Sequence, residues 1–221
     1  MGNLPYNIIL KSIVWLISII YLGIIALILF IRSQKTEIKS LKEMRRAFCL
    51  FIVFFILQRF FFILSDFQRD TYGQTSLYSR FVILGYIFLI IGFLNIILIL
   101  EKNVIKKTRY IISIIILIFI GVNVIMLFFP ELLNLVRTLN YIISYGEVVL
   151  LLIIYLYVII KTTGNPRKKA LITFLGLIFM TLGAILDSEA LLTSGISQPF
   201  YDPILTAIGA TLFGYVQIFM D

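Results

Sequence analysis

The sequence contains no histidine and a single cysteine among its 221 residues. Without histidine, the chain cannot build histidine-liganded metal sites, Ser-His-Asp or Cys-His catalytic arrangements, or histidine proton relays. Cys49 alone cannot form a disulfide within the chain or supply a cysteine-rich metal site. There is also no phosphate-binding glycine loop and no Gly-x-Ser-x-Gly nucleophile pattern. The sequence therefore predicts no metal site and no cofactor, and it favours a non-enzymatic role.

Charged residues are also scarce, at 14% of the chain, whereas hydrophobic residues make up 61% and the mean hydropathy is +1.08. A soluble domain of this length cannot hide so much apolar surface, so the composition predicts a multi-pass protein of the cell membrane. The apolar runs are continuous and lack the alternation of barrel strands, which favours helices. We predict an all-α bundle of seven transmembrane helices forming one domain over residues 1–221, with spans at about 8–31, 47–65, 81–100, 110–129, 139–160, 170–186 and 203–220.

Positive charge is concentrated in every second break between these runs. The first, third and fifth breaks hold most of the 19 lysines and arginines. The positive-inside rule then predicts an outer N-terminus and a cytoplasmic C-terminus. We expect the basic inner loops to contact anionic membrane lipids and to offer a surface to a cytosolic or membrane protein partner. Few aromatic residues interleave these charges, so no nucleic-acid partner is expected, and the pattern makes no prediction about oligomeric state.

Charged side chains within the apolar runs are the strongest pointers to function. Each costs roughly 2.5–3.5 kcal/mol at the centre of a helix, so it is kept for a reason. Arg59 and Glu147 fall at a similar depth in the predicted outer half and carry opposite signs. We therefore expect the two side chains to pair. The predicted inner half has no comparable charge within its runs.

Other polar residues are predicted to join this pair in an outer cavity. Ser144 lies three residues before Glu147 and so shares its helix face. Lys11 and Asp187 fall in the outer parts of their runs, and Asp66 falls at the rim. A purely structural interpretation stays open. Arg59 and Glu147 would then clamp two helices together, Lys11 would extend to the membrane interface, and Asp66 and Asp187 would be solvated at the rim. The predicted ligand site comprises Lys11, Arg59, Asp66, Ser144, Glu147 and Asp187.

The segment Gly164-Asn-Pro-Arg-Lys-Lys-Ala170, which leads into Gly176, resembles the basic start of the sixth helix in seven-helix sensory membrane modules. Such modules precede microbial histidine kinases, and their layout of seven spans, outer N-terminus and basic inner turns is similar over the whole chain. The resemblance implies a sensor-like or accessory module that binds a small or lipid-like ligand from the outer side. A signal would then pass to a separate partner. A small-solute transporter or channel subunit and a lipid-modifying membrane enzyme are the alternatives.

Overall fold

The computed structural model describes the backbone of residues 6–186 and 200–219, and side chains from residue 10 onward within these ranges. The described chain is all-α, as the sequence predicts. Two short 3-10 helices, Lys106–Thr108 and Pro130–Leu132, precede the fourth and fifth α-helices. Within the described ranges the α-helices are α1 (Tyr6–Gln34), α2 (Lys39–Tyr72), α3 (Ser76–Asn103), α4 (Ile111–Met126), α5 (Leu133–Lys161), α6 (Gly164–Leu186) and α7 (Tyr201–Phe219).

Six of these seven described helices are long and apolar enough to cross a membrane, which indicates a multi-pass membrane protein. The exception is α4, which has 16 residues. A helix of that length measures about 24 Å, short of the roughly 30 Å of hydrocarbon in a bilayer. After Met126 the α-helical hydrogen bonding gives way to tighter turns with i to i−3 bonds. The N–H groups of Phe128 and Phe129 donate to the carbonyls of Ile125 and Met126. A span at α4 therefore stays a prediction.

Several helices begin well before the apolar runs that reveal them. α2 begins at Lys39 rather than at residue 47, and α6 begins at Gly164 rather than at residue 170. Pro166 is compatible with the first turn of α6, where a missing N–H costs no intrahelical hydrogen bond. Hydropathy identifies only the part of a helix whose side chains are apolar enough for hydrocarbon. The polar ends are also helical, because the backbone hydrogen bonds continue through them. Basic residues that the sequence places in loops consequently lie on helical turns.

The chain divides into two compact units, the first of which comprises Met1–Leu29 and Val148–Asp221. In this unit α6 and α7 approach each other at glycines, because a Cβ atom on Gly176 would lie 2.9 Å from the carbonyl oxygen of Gly209. α7 also packs against α1, where a Cβ atom on Gly214 would lie 3.2 Å from Cγ2 of Ile25. Small residues thus permit close helix packing, as in other membrane bundles.

The second unit comprises Phe30–Glu147. Its α2 and α3 form an antiparallel pair, closed by Gly73, whose φ of +79° suits a residue without a Cβ atom. The ring of Phe51 packs on that of Phe93, with 5.1 Å between centroids. α3, α4 and α5 are joined by an apolar cluster. Its buried members are Ile83, Ile87, Leu133 and Val136, and Ile120 and Met126 of α4 pack against them.

Candidate functional site

Three buried polar side chains follow one face of α5 in the second unit. Asn140, Ser144 and Glu147 have exposed fractions of 0%, 3% and 4%. Their spacings of four and three residues place them on successive turns of the same face. Glu147 is the central residue of the 29-residue helix Leu133–Lys161. The face therefore runs from the first half of α5 to its middle. We call these three residues the α5 polar face.

The α5 polar face is only partly satisfied by hydrogen bonds. Nδ2 of Asn140 donates to Oδ1 of Asn123, at 2.9 Å, and to the carbonyl of Val136, at 3.0 Å. Oδ1 of Asn140, Oγ of Ser144 and both carboxyl oxygens of Glu147 have no hydrogen-bond partner among the described residues. Buried polar groups are nearly always paired in folded proteins, so four unpaired oxygens on one helix face form an unusual concentration.

Arg59 is buried in the second unit but does not pair with Glu147. Its guanidinium carbon lies 5.1 Å from the ring centroid of Phe55 and 5.8 Å from that of Phe62. Both rings belong to α2 and stand one turn to either side of Arg59, in the range of a cation–π contact. Because the carboxyl oxygens of Glu147 lack a partner within the described chain, the predicted ion pair is wrong. Depth and sign alone do not determine which way a side chain faces around its helix.

A row of aromatic rings connects the Arg59 turn of α2 with α5. The ring of Phe62 meets Tyr86 of α3 at 5.2 Å between centroids, and Tyr86 meets Tyr141 of α5 at 6.4 Å. Tyr141 in turn packs on Tyr145, at 4.6 Å. Next to Arg59, Gln58 is 3% exposed, and its Oε1 has no partner within the described ranges. The aromatic row, defined as Phe62, Tyr86, Tyr141 and Tyr145, thus ends one residue from Ser144.

The other predicted site residues are placed differently. Asp66 lies on α2 with Oδ1 3.6 Å from Nη2 of Arg69, and its side chain is 25% exposed, as expected at a rim. Lys11 lies on α1 in the first unit and is half-buried. Asp187 lies outside the described residues. The structure therefore brings Arg59, Asp66, Ser144 and Glu147 into one unit, and Lys11 belongs to the other.

Two further buried charges lie on the second unit near the helix ends that are predicted to face the cytosol. Glu101 is 2% exposed and accepts hydrogen bonds from the backbone N–H of Ile112, at 3.2 Å, and of Ser113, at 3.0 Å, and from the hydroxyl of Ser113. Arg45 is 4% exposed and donates from Nη1 to the hydroxyl of Thr36. Both residues lie outside the predicted apolar runs 47–65 and 81–100, because α2 and α3 extend past these runs and carry Arg45 and Glu101 with them.

Glu101 stabilises the start of α4. The first N–H groups of a helix have no partner within the helix, and a carboxylate beside them is favourable. Glu101, near the end of α3, supplies that carboxylate to the start of α4. The preceding turn is tight, since Arg109 and Tyr110 both adopt left-handed backbone angles, with φ of 47° and 65°. The position of Glu101 directly after the third apolar run is the only sequence signal that could have indicated its burial.

Asp202 is the corresponding buried carboxylate of the first unit, at 1% exposure. It lies in the first turn of α7, which begins at Tyr201. Oδ1 of Asp202 accepts a hydrogen bond from the hydroxyl of Thr206, at 3.1 Å, and a Cβ atom on Gly183 would lie 2.6 Å from it. The absence of a side chain at Gly183 thus leaves room for this carboxylate between α6 and α7.

No family model matches this chain, and comparison with curated proteins and with solved structures gives no significant match. What the structure shares with the seven-helix sensory modules is the layout of a helical bundle with several apolar helices. Among the described residues, no group of three or more His, Cys, Asp or Glu side chains is arranged to hold a metal ion.

Proposed function

We propose that the chain is a membrane module, sensor-like or accessory, that binds a small or lipid-like ligand from the outer side. The observation that carries the proposal is the α5 polar face, with its four buried oxygens that have no partner in the described chain. Leaving a buried polar group unsatisfied costs about 1–3 kcal/mol. A face that served only to pack helices would gain stability by losing those groups, so their presence supports a role in binding.

The same unit shows how this chain satisfies polar groups that only join helices. Glu101 accepts from two backbone N–H groups and a hydroxyl, and Asn123 accepts from Asn140 while donating to the carbonyl of Phe119, at 2.8 Å. Fully connected contacts of this kind rigidify a fold. Against that background, the incomplete bonding at Ser144 and Glu147 supports a ligand as the missing partner.

The charge pattern supports an outer approach to this face. Basic residues cluster around the predicted cytosolic helix ends, which supports an outer position for the start of α5 by the positive-inside rule. Asn140 and Ser144 then lie between that surface and Glu147. The layout shared with sensory modules supports signalling through the cytosolic ends, whose lysines and arginines would contact anionic lipids and a separate protein partner. A ligand can drive such signalling only by binding two conformations with different affinity.

Cysteine labelling tests the proposed outer access. In a Cys49→Ala background, Ser144→Cys should react with a charged, membrane-impermeant thiol reagent added outside intact cells. Ile142→Cys is the matched control, because Ile142 lies on the same helix with 59% exposure on an apolar surface and should not react. Gln74→Cys, in the exposed loop after α2, should react from outside and reports the orientation. No labelling of Ser144→Cys from either side would indicate dry packing and contradict the proposal.

A small-solute transporter is the second candidate, because Glu147 occupies the centre of α5. Transporters commonly bind substrates and coupling ions near the middle of the bilayer and expose the site to each side in turn. The same experiment separates the two functions. Labelling of Ser144→Cys from the outside only supports the sensor-like module, whereas labelling from both sides supports transport.

A further inference from the structure

We infer that the α5 polar face binds the ammonium group of a small cationic amine. The inference depends on the proposed function and adds the chemistry of the ligand. Its starting point is that the unpaired atoms of Asn140, Ser144 and Glu147 are all oxygens that can accept a hydrogen bond. The Ser144 hydroxyl can also donate, but Oδ1 of Asn140 and an ionised Glu147 carboxylate can only accept, so a ligand that completes them must supply donors, and an anionic ligand would be repelled by that carboxylate.

The orientation of the Asn140 amide supports this assignment. Its Nδ2 faces the carbonyl of Val136, at 3.0 Å, and a backbone carbonyl can only accept. The second hydrogen on Nδ2 is used by Oδ1 of Asn123. The amide therefore cannot be reversed without losing a hydrogen bond, and its oxygen is the atom that remains for a ligand.

The spacing of the oxygens favours an organic ammonium over a bare metal ion. The three side chains occupy successive turns, and Asn140 and Glu147 are separated by about 10 Å along the helix axis. Ser144 and Glu147 form no hydrogen bond with each other in the described structure. A metal ion such as Ca²⁺ requires six to eight oxygens at about 2.3–2.6 Å, whereas an ammonium group needs only two or three acceptors at about 2.7–3.2 Å, which Ser144 and Glu147, one helical turn apart, can supply.

The aromatic row supports a positive charge near this face. Tyr141 and Tyr145 flank Ser144 in sequence and form the α5 end of the row. At its α2 end, the ring of Phe62 already lies beneath the guanidinium of Arg59. Aromatic faces attract ammonium groups through the same electrostatic contact. The carboxyl group of Glu147 would neutralise the ligand's charge, since within the described chain its oxygens have no hydrogen-bond partner.

Thermal unfolding with three small probes tests the ligand class. The purified full-length protein in detergent is titrated with n-butylammonium, butyltrimethylammonium or n-butanol at matched ionic strength. Butylammonium has charge and N–H donors, the trimethyl compound has charge alone, and butanol has one hydroxyl donor without charge. We expect a saturable rise in Tm with butylammonium that is far weaker with the other two probes. Glu147→Gln and Ser144→Ala should each weaken the apparent affinity, the former by about tenfold or more.

Glu131→Gln is the control variant, because Glu131 is exposed on the 3-10 helix before α5 and should respond as the native chain does. Equal stabilisation by butanol or by butyltrimethylammonium would overturn the inference, as would stabilisation by sodium chloride alone. An unchanged response in Glu147→Gln and Ser144→Ala would do the same. If Ser144→Cys labels from outside but butylammonium has no effect, the ligand class is wrong and the proposed function survives. If Ser144→Cys never labels, the proposed function itself fails.

Discussion

Glu101 and Glu147 are two buried glutamates of the same compact unit, and their surroundings differ sharply. Glu101 is held by two backbone N–H groups and a hydroxyl at the start of α4. Glu147, equally buried at the middle of α5, has no hydrogen-bond partner among the residues that the structure describes. The difference teaches that burial of a charge does not by itself indicate function. The hydrogen bonds that a buried carboxylate makes within the protein distinguish a structural carboxylate from one that is available to a ligand.

The largest effect is expected at the satisfied glutamate. Glu101→Ala should lower the free energy of unfolding by about 3 kcal/mol, because it removes charge-assisted hydrogen bonds and leaves N–H groups of α4 unpaired. Equilibrium unfolding in mixed micelles measures the change. Glu131→Ala, an exposed glutamate, should stay within about 0.5 kcal/mol of the native chain. An equal loss of unfolding free energy in the two variants would contradict the structural role of Glu101.

A second prediction concerns the first unit, where helices meet through glycine rather than through charge. A Cβ atom on Gly209 would lie 2.6 Å from the carbonyl oxygen of Gly176. Gly209→Ala should therefore cost about 1–3 kcal/mol by overpacking. Gly23→Ala, also in this unit, has nothing within 4 Å of the added atom and should be neutral or slightly stabilising. If Gly209→Ala is as harmless as Gly23→Ala, the close approach of α6 and α7 is not required.

The smallest effect is expected at the amide pair between α4 and α5. Asn123→Leu should cost about 1 kcal/mol, in the range measured for hydrogen bonds between membrane helices. A double-mutant cycle with Asn140→Leu should show coupling, because the two amides are 2.9 Å apart. Asn95 is the control, since its Nδ2 donates to the carbonyl of Ile91 in its own helix. Coupling of Asn123 with Asn95 as large as with Asn140 would contradict the direct contact.

Hydropathy and charge were sufficient to predict the all-α membrane-type architecture and the approximate position of every described helix. They failed at helix ends, since α2 continues eight residues before its apolar run and carries Arg45 into a buried position. Polar residues extend a helix wherever the backbone hydrogen bonds can continue, and hydropathy does not register this. The short α4 was overestimated for a related reason, because an apolar segment after Met126 need not stay helical.

The shared helix face of Ser144 and Glu147 was predictable from the sequence, but the contacts of these side chains were not. The helix period places Ser144 and Glu147 on one face, and the structure confirms that both are buried there. The absence of an Arg59–Glu147 pair could not be predicted, because it depends on how α2 and α5 are rotated relative to each other, whereas the contacts of Arg59 with Phe55 and Phe62 lie within α2 itself. The roles of Glu101 and Asn123 depend on packing between helices, which a single sequence does not encode in any simple spacing.

The stability of Glu147→Met tests most directly the claim that the α5 polar face is kept for binding rather than for packing. Methionine has a similar length and buries no unsatisfied oxygen. If Glu147 awaits a ligand, the ligand-free variant should be more stable than the native chain, by about 1–3 kcal/mol in equilibrium unfolding. The matched variant Glu101→Met should lose stability under the same conditions. A loss of stability in Glu147→Met comparable with that of Glu101→Met would show that Glu147 holds the fold together, and would contradict the account.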